Sequence, residues 1–276
     1  MSEVRTPGGR RIFYDEVGSG PPVLVLTGSG VGRRFVGPML PALAARCRVV
    51  APDNRDAGES EPEPTYYTAA DMAADAAALL DALGIGRTHI VGVSMGGIIA
   101  LQLALDHPAR VDRLVLESTP LPGEGHRPGE PLPPPDDWWS DDPVERAHRL
   151  LPELAGPADR ARLSEADVAA AAERERGNRI TWAGLMRQAA ATSGYYVRGS
   201  LAQVRAPTLV IHGELDEAVP LADGEALAAG IPGARMLVLP GAGHAILFEQ
   251  AEEVNRAILA FLGLEGQGAP DRRAND

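Results

Sequence analysis

Residues 89–104 read "HIVGVSMGGIIALQLA", an apolar run that reaches Ser94 and then meets Gly96 and Gly97. A strand with small or apolar residues at nearly every position suits a sheet buried on both faces. The residues after the glycines suit a helix. Two readings compete. Ser94 either sits idly in a strand-to-helix turn, or it is a nucleophile that the turn displays. Gly92-Val93-Ser94-Met95-Gly96 satisfies the G-x-S-x-G elbow. Crowding explains that pattern: a nucleophile on so sharp a turn has strained backbone angles, and its neighbours two positions away lie close together. Glycine at 92 and 96 relieves the clash, and the helix that follows aims its first N–H groups at developing negative charge.

Working outward, short apolar runs alternate with helical patterns. "RIFYDEVG", "PVLVLTG", "CRVVAPD", "THIVGVS" and "VDRLVLES" read as strands; "FVGPMLPALAAR" and "TAADMAADAAALLDALG" read as helices, with Gly84 placed to stop the second. This alternation predicts an α/β fold with a mostly parallel central sheet flanked by helices. From Pro120 to Pro135 proline and glycine dominate and the pattern breaks. Three helical stretches follow, at 143–154, 164–176 and 181–192, and Ser164 is a cap candidate. "APTLVIHGELD" and "ARMLVLPGAGH" then resume the strands, and "AEEVNRAILAFLGL" reads as a closing amphipathic helix. The expected division is a core of residues 1–119 and 205–264, a helical cap over 120–204, and a disordered tail over 265–276.

Composition narrows the chemistry. A chain of 276 residues with 45% hydrophobic content can bury a full core. A net charge of −12 argues against nucleic acid as a partner. All 26 basic residues are arginine, which removes Schiff-base chemistry, pyridoxal-phosphate linkage and a P-loop lysine. Cys47 stands alone, so neither an internal disulfide nor a cysteine-built metal site is available. No apolar run has the roughly 18 residues of a membrane span, and the opening residues lack a signal-peptide core. A cytoplasmic protein without membrane partners is expected.

An elbow serine needs a base. Of six histidines, His89, His107, His126 and His148 are expected to face solvent or cap helices, and His212 to pack at a strand end. His244 stands in the Gly-rich loop "LPGAGH" after the last strand, where ligands of open α/β sheets gather. The base needs a carboxylate in turn. Asp216, after the preceding strand, is the natural choice; Glu117, ending "LVLE", is its rival, and Glu214 and Glu217 are expected to be solvated.

In sum of motifs, "VLVLTGSG", "VVAPDNRDAGES", "VGVSMGG", "PTLVIHGELDEAVP" and "LPGAGH" resemble the α/β-hydrolase superfamily with a helical cap, over residues 10–262. The order Ser94, Asp216, His244 matches that family's triad order. The motifs are most similar to aclacinomycin methylesterase-like and 3-oxoadipate enol-lactonase-like enzymes. Two positions depart from the family. Thr27-Gly28 replaces His-Gly, and Asp56 stands where glycine is usual. The resemblance implies an oxyanion hole from the backbone N–H groups of Ser29 and Met95, which the loss of a histidine side chain need not disturb.

The expected reaction is attack of Ser94 on an acyl carbon, with no metal or organic cofactor. The expected partner is a small-molecule substrate, and a homodimer is left open. Trp138, Trp139, Trp182, Tyr195 and Tyr196 put five of the eight Trp and Tyr residues in the insert. Each either packs the cap onto the core or lines a pocket for a flat or apolar substrate; Trp138, Trp139, Trp182 and Tyr195 are the pocket candidates. An esterase is favoured. A lactonase, a C–C bond hydrolase, a non-hydrolytic cyclase or lyase of secondary metabolism, and a ligand-binding receptor are the alternatives on the same fold.

Overall fold

A computed structural model describes residues 2–121, 139–193 and 197–265. The strands are β1 (Ser2–Arg5), β2 (Arg11–Val17), β3 (Pro22–Leu26), β4 (Arg48–Pro52), β5 (Thr88–Val93), β6 (Val111–Glu117), β7 (Thr208–Gly213) and β8 (Arg235–Leu239). They form one sheet in the order β1-β2-β4-β3-β5-β6-β7-β8. β2 is antiparallel to β1 and β4, and every pair from β4 to β8 is parallel. Leu26 pairs with Gly92, Val93 with Glu117, Glu117 with Ile211, and Gly213 with Leu239. That register brings the carboxyl ends of five strands to one rim, where the loops bearing Ser29, Ser94, Asp216 and His244 emerge.

The helices are α1 (Met39–Ala44), α2 (Ala69–Ala82), α3 (Met95–Asp106), α4 (Pro143–Leu154), α5 (Pro157–Arg160), α6 (Glu165–Arg174), α7 (Trp182–Ser193), α8 (Leu221–Gly230), α9 (Ile246–Glu249) and α10 (Ala251–Leu262). Strand alternation divides the core in two. Leu24, Leu26, Ile90, Leu114 and Leu116 pack with Leu79 of α2, Ile99 of α3 and Leu227 of α8. Val23, Val25, Val91 and Val115 face the other way, onto Leu43 of α1 and Ile258 of α10. Fully burying one such side chain is worth about 1.5–3 kcal/mol.

Local chemistry sets the helix ends. Thr68 and Asp71 form a reciprocal capping box at the start of α2, and Gly84, at φ 65, follows its last turn. Ser164 and Asp167 repeat the box at α6, and the Asp142 carboxylate caps α4 at 2.7 Å from Val144 N. The helix expected over 35–46 is shorter. A 3-10 turn, Arg33–Val36, is cut from α1 by Gly37, at φ 47, and Pro38. Helices α4 to α7 lie between β6 and β7, and Ala147 and Leu151 of α4 pack on Val168 and Ala171 of α6. Among the described residues no helix is long and apolar enough to cross a membrane. The proline-rich entry over 122–138 and the tail from 266 lie outside the described residues.

Candidate active site

Ser94 occupies the turn between β5 and α3 with φ 53 and ψ −119, a conformation that costs a non-glycine residue about 1–3 kcal/mol. Its N–H donates to Glu117 O at 2.8 Å, and its carbonyl accepts from Gly97 N at 2.9 Å. A Cβ on Gly92 would lie 2.5 Å from Gly96 O, as the elbow requires. Gly96 is small for a different reason: its Cβ would strike the Leu26 carbonyl, on the neighbouring strand. The glycines let β3 and the helix converge beneath the serine.

His244 sits in the loop after β8, and its Nδ1 is 2.8 Å from Asp216 Oδ2. In the neutral tautomer whose Nδ1–H donates to this carboxylate, Nε2 is left as an acceptor. Asp216, fully buried at its side chain, also accepts Ala218 N–H at 3.0 Å and Val219 N–H at 2.7 Å through Oδ1. His212 is buried at the end of β7, as expected of a packing residue. Its Nε2 lies 2.9 Å from Val219 O and 3.5 Å from Asp216 Oδ2, bracing the Asp216 loop.

Ser94 and His244 line one cavity of about 200 Å³, together with Gly28 and Ser29. Among the described hydrogen bonds none joins the Ser94 hydroxyl to His244; such bonds commonly tighten only with substrate in place. A Cβ on Gly28 would lie 3.4 Å from Ser94 Cβ, so the Gly28–Ser29 peptide passes beside the nucleophile. Met95 is the first residue of α3, a position whose N–H has no intrahelical acceptor. Thr27, in place of the family histidine, is buried; its hydroxyl donates to Val31 O at 3.4 Å, while Asn54 Nδ2 donates to its carbonyl at 3.1 Å.

The cavity wall is mainly apolar, with Phe35, Trp139, Leu150, Leu154, Leu185 and Leu247. Trp139 lines it, whereas Trp182 packs against Trp139 with ring centroids 5.8 Å apart. Trp138, Tyr195 and Tyr196 lie outside the described residues. Two charged residues interrupt the wall. The Arg146 guanidinium lies 5.0 Å from the Trp139 ring centroid, donates to Ser140 O at 2.8 Å, and comes within 3.6 Å of Glu175. Burial pushes the Glu175 carboxyl up, against the opposing pull of Asn178 and Arg146.

The rival acid makes no hydrogen bond to His244. Glu117 is wholly buried, and neither carboxyl oxygen has a hydrogen-bond partner. Burial pushes it up to about 8, opposed by a Leu247 N–H that does not reach hydrogen-bonding geometry. Glu214 and Glu217 are exposed. His89 corrects the expectation of a solvent-facing or capping residue. It is buried within β5, 3.4 Å from Asp112, and burial holds its imidazole below the usual range. His107 does end α3, half-exposed His148 lies 3.4 Å from Glu165, and His126 is outside the described residues.

Residues 21–251 match the family described as alpha/beta hydrolase fold. The chain is 32% identical to a poly(3-hydroxyalkanoate) depolymerase of Ectopseudomonas oleovorans, over 90% of this chain and 86% of that protein. It is 31% identical to a 2-hydroxy-6-oxononadienedioate/2-hydroxy-6-oxononatrienedioate hydrolase of Burkholderia vietnamiensis, over 91% of each. The crystal structure of the enol-lactonase from Burkholderia xenovorans LB400 superposes with a TM-score of 0.82 at 25% identity, covering 95% of this chain and 100% of that one. A mostly parallel sheet with a serine elbow at its rim defines a hydrolase scaffold. The chain belongs to the alpha/beta hydrolase fold family.

Proposed function

We propose that this chain is a serine hydrolase that cleaves an ester of a small apolar or aromatic metabolite, lactones included as cyclic esters, through an acyl-enzyme. One observation carries the reading: the 2.8 Å contact between His244 Nδ1 and Asp216, beside a cavity that Ser94 shares. An imidazole oriented by a buried carboxylate suits proton transfer, for which a simple binding site has no use. In the proposed cycle His244 Nε2 takes the Ser94 hydroxyl proton as Oγ attacks the acyl carbon. The N–H groups of Ser29 and Met95 hold the oxyanion. His244 then protonates the leaving alkoxide, and a water that it activates releases the acid. The apolar wall, Trp139 included, supports an apolar or aromatic body on the substrate.

The test is covalent. A fluorophosphonate probe should label the wild-type protein at Ser94 and leave Ser94→Ala unlabelled. With a small activated ester the alanine variant should lose about 10³-fold or more in kcat. A variant that turns over near the wild-type rate would sink the acyl-enzyme and favour proton-transfer chemistry without one.

A further inference from the structure

Resting on the acyl-enzyme reading above, we propose that Asn178 and Gln188, both in the insert between β6 and β7, are positioning residues that set the oxyanion loop. Gly30 follows the proposed donor Ser29, and side chains from the insert hold both of its backbone polar groups. Its N–H donates to Gln188 Oε1 at 2.8 Å, and its carbonyl accepts from Asn178 Nδ2 at 2.8 Å.

The far ends of both amides are tied to the loop after β4. Gln188 Nε2 donates to Arg55 O at 2.6 Å, and Asn178 Oδ1 accepts from Gly58 N at 2.6 Å. Asn178 Nδ2 also reaches Glu175 at 2.6 Å. Gln188 is completely buried, so its amide has no water to turn to, and leaving either of its bonds unmade is costly.

The loop needs such a clasp because of its sequence. Gly28-Ser29-Gly30 flanks the donor with two glycines, and Gly30 takes a φ of +77. Peptides beside glycine rotate with little steric resistance. The next peptide carries the Gly30 N–H, so fixing it anchors the C-terminal side of Ser29 and limits the backbone rotations left to the donor. Gln188 holds that N–H. A donor fixed before the reaction needs no reorganisation when negative charge develops, which is where such donors gain their effect. The insert thereby contributes to the rate of the chemical step as well as to the cavity wall.

Gln188→Met keeps the volume and removes both polar ends; Gln188→Glu keeps an acceptor for the Gly30 N–H. With p-nitrophenyl acetate, Gln188→Met should lose about 10–100-fold in kcat, less than deletion of a whole oxyanion donor, with KM within about twofold. The pH dependence of kcat/KM should keep its midpoint, because the His244–Asp216 pair is untouched. Gln188→Glu should recover most of kcat. A merely structural role gives the reverse order, since a buried carboxylate disturbs packing more than methionine does. Full kcat in Gln188→Met, a loss confined to KM, or Gln188→Glu as slow as Gln188→Met would each overturn the proposal. If Gln188→Met does not fold, Asn178→Ala is read by the same kcat and KM split, because it frees the Gly30 carbonyl. Wild-type protein that neither labels at Ser94 nor hydrolyses the ester ends the acyl-enzyme reading and this one with it. Wild-type activity alongside a fully active Gln188→Met ends this one alone.

Discussion

Two acids lie close in sequence logic and far apart in environment. Asp216 accepts two backbone N–H groups and the His244 imidazole, whereas Glu117 has no hydrogen-bonded partner at either oxygen. A carboxylate that must stabilise an imidazolium has to be charged. Burial pushes Glu117 up to about 8, which favours its neutral form at neutral pH. Asp216→Asn should therefore cripple turnover, by about 10⁴-fold if the triad behaves as others do, and Glu117→Gln should be mild. Glu117 is instead expected to make stability depend on pH. Its folded value is raised from 4.5 to about 8, so the folded chain binds the proton more tightly than the unfolded one. The associated stability is fully present below 4.5 and is lost as pH rises toward 8, a change on the order of a few kcal/mol. Urea titrations at pH 5 and pH 8.5 should show a decline in the wild type that Glu117→Gln lacks. Equal slopes in the two proteins, or greater kinetic damage from Glu117→Gln than from Asp216→Asn, would reassign the acid.

At the scale of elements, Asp56 shows how a departure from a family pattern is accommodated. It takes φ 62, in the left-handed region where the family carries glycine. Its side chain compensates: the buried carboxylate is bidentate to Arg187 of α7, at 2.6 and 2.9 Å, and accepts Glu63 N–H at 3.1 Å. The pair pins α7 to the loop after β4. Asp56→Ala should destabilise by about 3–5 kcal/mol, because it keeps the strained backbone and strands the arginine. Asp56→Gly should cost about 1 kcal/mol less, through relief of the backbone alone. Equal midpoints for wild type and both variants in urea would show that the ion pair does not hold α7. Local signals explain what the sequence reveals. Caps at Thr68 and Ser164 and the apolar runs of β3 to β7 each act within a few residues, and those elements are legible. β1 is four residues at an exposed sheet edge, "SEVR", with no apolar period to read. His89 opens the apolar run of β5, and the polarity of its own side chain masks the burial that the run implies. The elbow, His244 and Asp216 are legible because glycine and strand ends mark them. Asn178 and Gln188 are not, since each meets Gly30 across about 150 residues and neither belongs to a local pattern.

At the scale of the whole molecule, the insert is bonded into the core at the points where chemistry is proposed. Besides the clasp on Gly30, Leu154 O at the end of α4 accepts His244 N–H at 2.8 Å and Ala245 N–H at 3.0 Å. The Glu249 carboxylate, drawn up by burial, accepts Gly243 N–H at 2.9 Å and Gly156 N–H at 3.3 Å, joining the histidine loop to the insert again. Loss of the insert would therefore disturb the base and the oxyanion loop together, so its part in substrate choice must be tested one side chain at a time. Trp139 is the suitable residue. It lines the cavity on one side and meets Trp182, Arg146 and Asp141 on the others, the last through a 2.9 Å bond from Nε1. Trp139→Ala should raise KM for a bulky aromatic ester about tenfold, the value of one well-packed aromatic contact. A small activated ester, which needs only the serine, the base and the oxyanion donors, should keep most of its kcat. If Trp139 merely cements the insert, both substrates lose together and the melting temperature falls. Parallel losses with a lower Tm would count against a specificity role, and a selective rise in KM at unchanged Tm would support it.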